Sequence, residues 1–120
     1  MQVSPRSLLG LVLVVLCVSA ASQWWAGRQE RQVGEQVAAL AEAGDIHMLS
    51  SDTCGICAMA RAWFRQHQVK YTECSIESDA ACKAAFEASG SPGTPVMVVR
   101  GKAQVGFAPE RLQQALQHRG

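Results

Sequence analysis

The sequence predicts an α/β (α+β) fold in which helices flank a four-stranded mixed sheet, with the order β-α-β-α-β-β-α after an N-terminal hydrophobic helix. A short apolar run of strand length, Ile46 to Ser50, precedes a Cys-x-x-Cys pair and a helical pattern. A run with β-branched and aromatic residues comes next, and strand, helix, strand in this span implies a right-handed parallel βαβ unit. Further on, Gly101-Lys102 lies between two strand-like runs and predicts a hairpin turn.

The elements of this fold can be placed from periodicity and end signals. Apolar residues recur at helical spacing from Val33 to Ala41, and Gly44 ends this connector helix, which we expect to pack on the domain. Ser78 or Asp79 is a candidate cap for a later helix, and Pro109 suits the first turn of the last one. The predicted helices cover 29–43, 58–68, 80–88 and 110–117, and the predicted strands cover 46–50, 69–74, 96–100 and 103–105.

The N-terminal segment carries no charge from Ser7 to Gly27, and roughly 20 such residues are enough to cross a bilayer as a helix. Trp24-Trp25 suit a membrane–water boundary. The alternative is a cleaved signal peptide, with Val18-Ser19-Ala20 as its small-residue site. The predicted division is 1–27, transmembrane anchor or signal segment; 28–44, helical linker; and 45–120, globular domain.

Either N-terminal alternative most often exports the domain that comes after it in the chain. We therefore expect the domain on the extracytoplasmic (periplasmic) side, either anchored through residues 7–27 or secreted after signal cleavage. Apolar residues make up 48% of the chain, which fits a compact domain, and we expect that domain to be monomeric. The net charge of +1 argues against the basic field that nucleic-acid binding needs, so no nucleic-acid partner is expected.

The residues that carry chemistry are Cys54 and Cys57. With Asp52 or Thr53 as the helix cap, Cys54 lies just before the first turn, where backbone N–H groups and the helix dipole favour an anion. The pKa of its thiol should therefore fall from about 8.5, and Cys57, one turn on, can resolve a mixed disulfide. No general base is obvious, because His67 at the end of the same helix is predicted to be solvated. The pair predicts a catalytic dithiol.

The remaining cysteines of the domain leave alternatives open. Cys74 and Cys82 are a candidate structural disulfide in an oxidising compartment, or two separate buried thiols. All four cysteines together form a candidate zinc site, although the spacing of the second pair is wide. Copper or another soft metal at the Cys54-Cys57 dithiol is a further alternative; Met59 is close by, but its spacing predicts helix core. No metal site is assigned.

Residues 46–118 resemble the glutaredoxin-like branch of the thioredoxin fold, over about three-fifths of the chain. The resemblance rests on Cys54-Gly55-Ile56-Cys57 after the first strand, Thr94-Pro95 before the third and Gly106-Phe107 after the fourth. It implies a thioredoxin/glutaredoxin-like fold and thiol–disulfide oxidoreductase activity at the cysteine pair. It also implies a cis peptide before Pro95, and a substrate-binding surface made by Thr94, Pro95, Gly106 and Phe107.

The sequence departs from the glutathione-using members that it resembles. They usually have Pro-Tyr between the cysteines, where Gly55-Ile56 stands here, and Lys or Arg three residues before the first cysteine, where Ser51 stands here. The groups implied to hold the glutathione carboxylates are thus missing. We predict protein or low-molecular-weight thiols and disulfides as substrates, no tightly bound cofactor, and glutathione as a candidate reductant.

Overall fold

The structure is a computed structural model that describes residues 2–118. It confirms the predicted fold class, with the order β-α-β-α-β-β-α after one long N-terminal helix. The helices are α1 (Pro5–Leu40), α2 (Gly55–Gln66), α3 (Ala80–Ser89) and α4 (Pro109–Gln117), and the strands are β1 (Ile46–Ser50), β2 (Thr72–Ser75), β3 (Val96–Val99) and β4 (Lys102–Val105).

The four strands form one mixed sheet in the order β2-β1-β3-β4. β1 pairs in parallel with β2 and antiparallel with β3, which pairs antiparallel with β4. The parallel pair and its connecting helix α2 make the expected βαβ unit. Because parallel strands point the same way, β1 and β2 end at the same edge of the sheet, and the chain enters α2 and α3 from that edge.

The turn between β3 and β4 lies one residue earlier than the sequence predicts. Val99 pairs with Lys102, so the two turn residues are Arg100 and Gly101, with φ of 50° and 85°. Positive φ at both positions is the geometry of the two-residue hairpin turn. Arg100 is held there because its guanidinium donates to the Leu116 carbonyl at 3.0 Å.

The core of the domain is built around Phe64 on α2, which is fully buried. Its ring stacks on Tyr71 with centroids 4.4 Å apart and meets Phe107 edge-on at 5.7 Å. Burial of apolar surface of this kind is the main term that holds such a domain together. Around it lie fully or almost fully buried side chains from two strands and one helix: Ile46, Met48, Met97, Val99, Leu112 and Leu116.

The chain divides into two compact units, one reaching Gln32 and the other starting at Val33. The first unit is helical from Pro5, and its apolar side chains are exposed. Within residues 2–118, α1 alone is long and apolar enough to cross a membrane; an 18-residue window has a mean hydropathy of 1.9. The same length and composition also fit a signal sequence.

The second unit begins with the last turns of α1. Val37 and Ala41 are buried in the domain core, and Val33 and Leu40 pack against it. This confirms the prediction that the apolar face of the connector packs on the domain. The connector predicted at 29–43 is the C-terminal part of α1, which ends at Leu40. Gly44 lies four residues later with φ of 87°, a backbone conformation that glycine adopts without strain.

Candidate active site

Cys54 occupies the N-terminal end of α2 and is itself the helix cap. Its backbone is extended (φ −90°, ψ 112°), and its Sγ accepts the backbone N–H of Cys57 at 3.1 Å. The prediction that Asp52 or Thr53 caps this helix is therefore wrong, because the sulfur fills the place of the capping oxygen. The free N–H groups and the helix dipole at this end favour negative charge on that sulfur when the thiol is reduced.

Cys54 and Cys57 are joined in a disulfide, with their Cα atoms 5.2 Å apart. The two sulfurs have different surroundings: Cys54 is half-buried, whereas Cys57 is fully buried in the domain core. A substrate approaching from solvent therefore reaches Cys54 first.

Thr94 and Pro95 lie beside this cysteine pair. The Thr94–Pro95 peptide bond is cis, as the resemblance implies, and the carbonyl oxygen of Thr94 is 3.5 Å from the Sγ of Cys54. The backbone N–H of Gly106 donates to the Pro95 carbonyl at 2.9 Å, so the end of β4 is bonded to the start of β3 here. Phe107 follows Gly106 and turns into the aromatic core, 5.6 Å from the Trp63 ring.

The loop before Cys54 is bonded to the loop after β2, a feature that the sequence did not indicate. Glu77 accepts a hydrogen bond from the Ser51 hydroxyl and another from the backbone N–H of Asp52 at 3.2 Å. The Ser75 hydroxyl lies 3.0 Å from Asp52 Oδ1 and 2.9 Å from Glu77 Oε2. The Ser51 hydroxyl is the main cause that lowers the pKa of Glu77 below its ordinary value, against a smaller opposing effect of desolvation. Glu77 is thus ionised at neutral pH.

Two large apolar side chains next to the cysteine pair are exposed. Ile56, between the two cysteines, is 52% exposed, and Met59 is 67% exposed. The prediction that Met59 belongs to the helix core is wrong, because α2 turns Cys57, Ala60 and Phe64 inward, and Met59 lies on the opposite side.

Cys74 and Cys82 form a second disulfide, with Cα atoms 6.0 Å apart. It joins the end of β2 to the first turn of α3, and Cys82 is buried beside Leu49 and Val96. The two cysteine pairs remain separate: across residues 2–118, no three or more His, Cys, Asp or Glu side chains lie together as a metal site. The four-cysteine zinc alternative is therefore not supported by the structure.

His67 differs from its prediction as a solvated residue. Its ring packs on Trp63 with centroids 4.6 Å apart, and its Nε2 is buried. The ring also faces Gly34 in the last turns of α1, which lies too close to it to carry a side chain without displacing the ring. The burial arises because α1 covers the C-terminal end of α2, and the sequence spacing within α2 alone could not indicate this.

Comparison with known proteins agrees with this geometry. Residues 46–104 match the glutaredoxin family model. Two crystal structures of the thioredoxin-like protein BC3987, the first of them a mutant, are similar to the chain at 28% sequence identity. They give TM-scores of 0.55 and 0.52, covering 62% and 58% of this chain and 96% and 97% of theirs. No match is found among curated proteins. The chain therefore carries a glutaredoxin-like domain of the thioredoxin fold.

Proposed function

We propose that this protein is a thiol–disulfide oxidoreductase that exchanges electrons with protein or small-molecule disulfides through Cys54 and Cys57. The observation that carries the proposal is the placement of the Cys54 sulfur as the cap of α2, where the N–H of Cys57 is directed at it. The same interaction stabilises a thiolate after reduction, and the thiolate is the reactive form of cysteine. The match to the glutaredoxin family model supports the same chemistry.

The reaction proceeds in two exchange steps. The Cys54 thiolate attacks one sulfur of a substrate disulfide; a mixed disulfide forms and the other substrate sulfur leaves as a thiolate. Cys57 then loses its proton and attacks Cys54, which releases the second substrate thiol and forms the Cys54–Cys57 disulfide. Two electrons have passed to the substrate. Two external thiols, with glutathione as the candidate, then restore the dithiol: the first forms a mixed disulfide with Cys54, and the second attacks that thiol's sulfur and leaves with it as a disulfide. In reverse, the oxidised pair accepts two electrons from a substrate dithiol.

Substrate binding is proposed along Thr94, Pro95, Gly106 and Phe107. The short distance between the Thr94 carbonyl and Cys54 supports this, since an extended peptide pairing with the backbone there brings its cysteine to the nucleophile. Exposed Ile56 and Met59 support protein substrates, because large apolar side chains left in solvent beside a reactive group often mark a contact surface.

We further propose that the domain acts outside the cytoplasm, either anchored by α1 or released after cleavage of a signal segment. The length and hydropathy of α1 fit both alternatives. The second disulfide, Cys74–Cys82, supports an oxidising compartment, because structural disulfides are rare in the cytosol.

A redox titration of the full chain in detergent micelles tests the proposal. Replacing Cys17→Ala first removes the exposed thiol of α1, so that thiol counting reports on the domain alone. We expect a two-electron transition confined to Cys54 and Cys57, whose midpoint shows whether the protein reduces or oxidises its substrates. Stoichiometric bound metal with no such transition would contradict the proposal.

Single substitutions separate the two cysteines. Cys54→Ser should abolish disulfide reduction, whereas Cys57→Ser should accumulate mixed disulfides that mass spectrometry locates at Cys54. Full dithiol activity in the Cys54→Ser variant would show that the mechanism is wrong. The Cys17→Ala protein, which has lost an exposed cysteine outside both disulfides, is the control.

A further inference from the structure

The loop that leads to Cys54 is held from the side by the β2–α3 loop. The backbone N–H of Ile76 donates to the Ser50 carbonyl at 2.9 Å, and Glu77 accepts from Ser51 and from the Asp52 backbone. These bonds cover the three residues before Thr53. The Ser51 carbonyl in turn accepts the backbone N–H of Cys54 at 3.3 Å, so the contact continues to the cysteine itself.

The β2–α3 loop is itself closed by a covalent bond. Cys74 lies in β2 and Cys82 is the third residue of α3, so their disulfide encloses the whole loop, including Glu77. Asp79 caps α3 within the same loop, accepting the backbone N–H groups of Ala81 and Cys82 at 2.9 and 3.1 Å. Glu77 is therefore carried on a short segment with both ends fixed, which limits the positions that its carboxylate can take.

We propose that Glu77 is a positioning residue for the thiol exchange, and that the Cys74–Cys82 disulfide keeps it in place. Together they form a brace, defined here as Glu77 and this disulfide, which holds residues 50–52 so that Cys54 stays at the cap position of α2. This inference rests on the proposed function, because it assigns to the second disulfide an effect on the reactivity of the first cysteine. No substrate contact is assigned to Glu77.

The test measures the reactivity of Cys54 in the full chain, in micelles and without reductant. In a Cys17→Ala/Cys57→Ser background, Cys54 is the thiol that remains while the Cys74–Cys82 disulfide stays formed. Its rate of alkylation by iodoacetamide is followed by mass spectrometry across pH, which gives the pH of half-maximal rate. Three changes are added to this background: Glu77→Ala, Glu77→Gln and the pair Cys74→Ala/Cys82→Ala.

Loss of the brace should make Cys54 less reactive. Because the capping geometry loosens, we expect the rate near pH 6 to fall by about two- to fivefold in Glu77→Ala and in the variant without the disulfide, which is the lower part of the range that loss of a capping interaction implies. When Glu77→Ala is combined with loss of the disulfide, the rate should not fall further than in the slower of the two separate variants, because both changes act on the same brace. Glu77→Gln keeps one side-chain oxygen, which can accept the Asp52 N–H, and its NH2 group can donate to the Ser51 hydroxyl oxygen, so this variant should restore most of the rate.

Charge alone predicts the opposite result. Removing a carboxylate near a thiolate favours the thiolate and raises the rate of alkylation. Faster alkylation in Glu77→Ala therefore overturns the inference. An unchanged rate in both Glu77→Ala and Cys74→Ala/Cys82→Ala overturns it as well. Glu87→Ala, which removes an exposed carboxylate from α3 outside the brace, is the matched control and should change nothing. If the variant without the disulfide does not fold, Glu77→Ala and Glu77→Gln decide the question. An unreactive Cys54 in the background protein would instead contradict the proposed function.

Discussion

The contact between Gly34 and His67 allows a prediction about how tightly the end of α1 is built into the domain. A Cβ placed on Gly34 would lie 2.6 Å from Cε1 of His67, and closer still to the ring atoms Nδ1 and Cγ. The ring cannot move aside freely because it packs on Trp63 and its Nε2 is buried. Gly34→Ala gains about 1 kcal/mol of helix propensity but adds about 1–3 kcal/mol of overpacking. We expect a net loss of stability of about 1 kcal/mol.

The assay is urea unfolding of the full chain in micelles, followed by far-ultraviolet circular dichroism. The same change is made in a His67→Ala background, where the overlap is gone and Gly34→Ala should become stabilising by about 1 kcal/mol. Gly27→Ala is the control, because a Cβ there meets nothing within 4 Å. A Gly34→Ala protein as stable as the parent, or an equal effect in both backgrounds, would show that the ring does not confine this glycine.

Three further predictions concern the active-site surface, the second disulfide and acid stability. Replacing Ile56 and Met59 by serine should lower kcat/KM for a protein disulfide by about tenfold and leave the rate with a small neutral disulfide unchanged, since apolar contact contributes about 25 cal/mol per Å². Removing Cys74 and Cys82 by alanine substitution should lower the free energy of unfolding in urea by about 2.5 kcal/mol, the loop-closure value for a separation of 8. The pKa of Asp45 is lowered, chiefly by the Glu42 backbone N–H and then by the Arg100 guanidinium. The ionised carboxylate therefore stabilises the folded protein fully above a pH of about 4, and this contribution is lost as the pH falls further. The difference in the free energy of unfolding between the parent and Asp45→Asn should shrink in acid titrations.

Each of these has an outcome that contradicts it. Ile56→Val with Met59→Leu keeps the apolar surface and should keep the protein-disulfide rate, so an equal loss in both pairs points to altered folding. An unchanged unfolding midpoint without the second disulfide would mean that the β2–α3 loop is already ordered in the unfolded chain. A difference between Asp45→Asn and the parent that persists at the lowest pH would assign the effect to something other than ionisation.

The sequence was sufficient where one element carries its own signal. The bounds of β1 were predicted without error, because a short apolar run lies between turn residues on both sides. The third helix was placed within one residue, since Asp79 caps it and Gly90 ends it. The order of elements and the resemblance to glutaredoxins followed from these placements and from the Cys-x-x-Cys and Thr-Pro motifs.

Features that depend on contact between two separate elements could not be predicted from the sequence. The packing of His67 requires α1 to lie against the end of α2, and the bonding of Glu77 requires two loops at one edge of the sheet to face each other. Exposure of Met59 was mispredicted for a related reason: its spacing from Trp63 fits a helix face, but the sheet selects the face that carries Cys57 and Phe64. Periodicity gives the faces of a helix, and only tertiary packing decides which face is buried.

The charge next to Cys54 bears on which thiol partner the site favours. Residues 46–60 contain no lysine or arginine, and Ser51, at the position where glutathione-using relatives carry a cation, donates instead to ionised Glu77. An anionic tripeptide approaching this side would meet negative charge from Asp52 and Glu77, and the repulsion persists at the surface within about a Debye length of 8–10 Å. On the other side, Ile56 and Met59 offer apolar surface that a small charged thiol cannot cover. Both features favour a protein disulfide or dithiol over glutathione as the main partner of the proposed exchange.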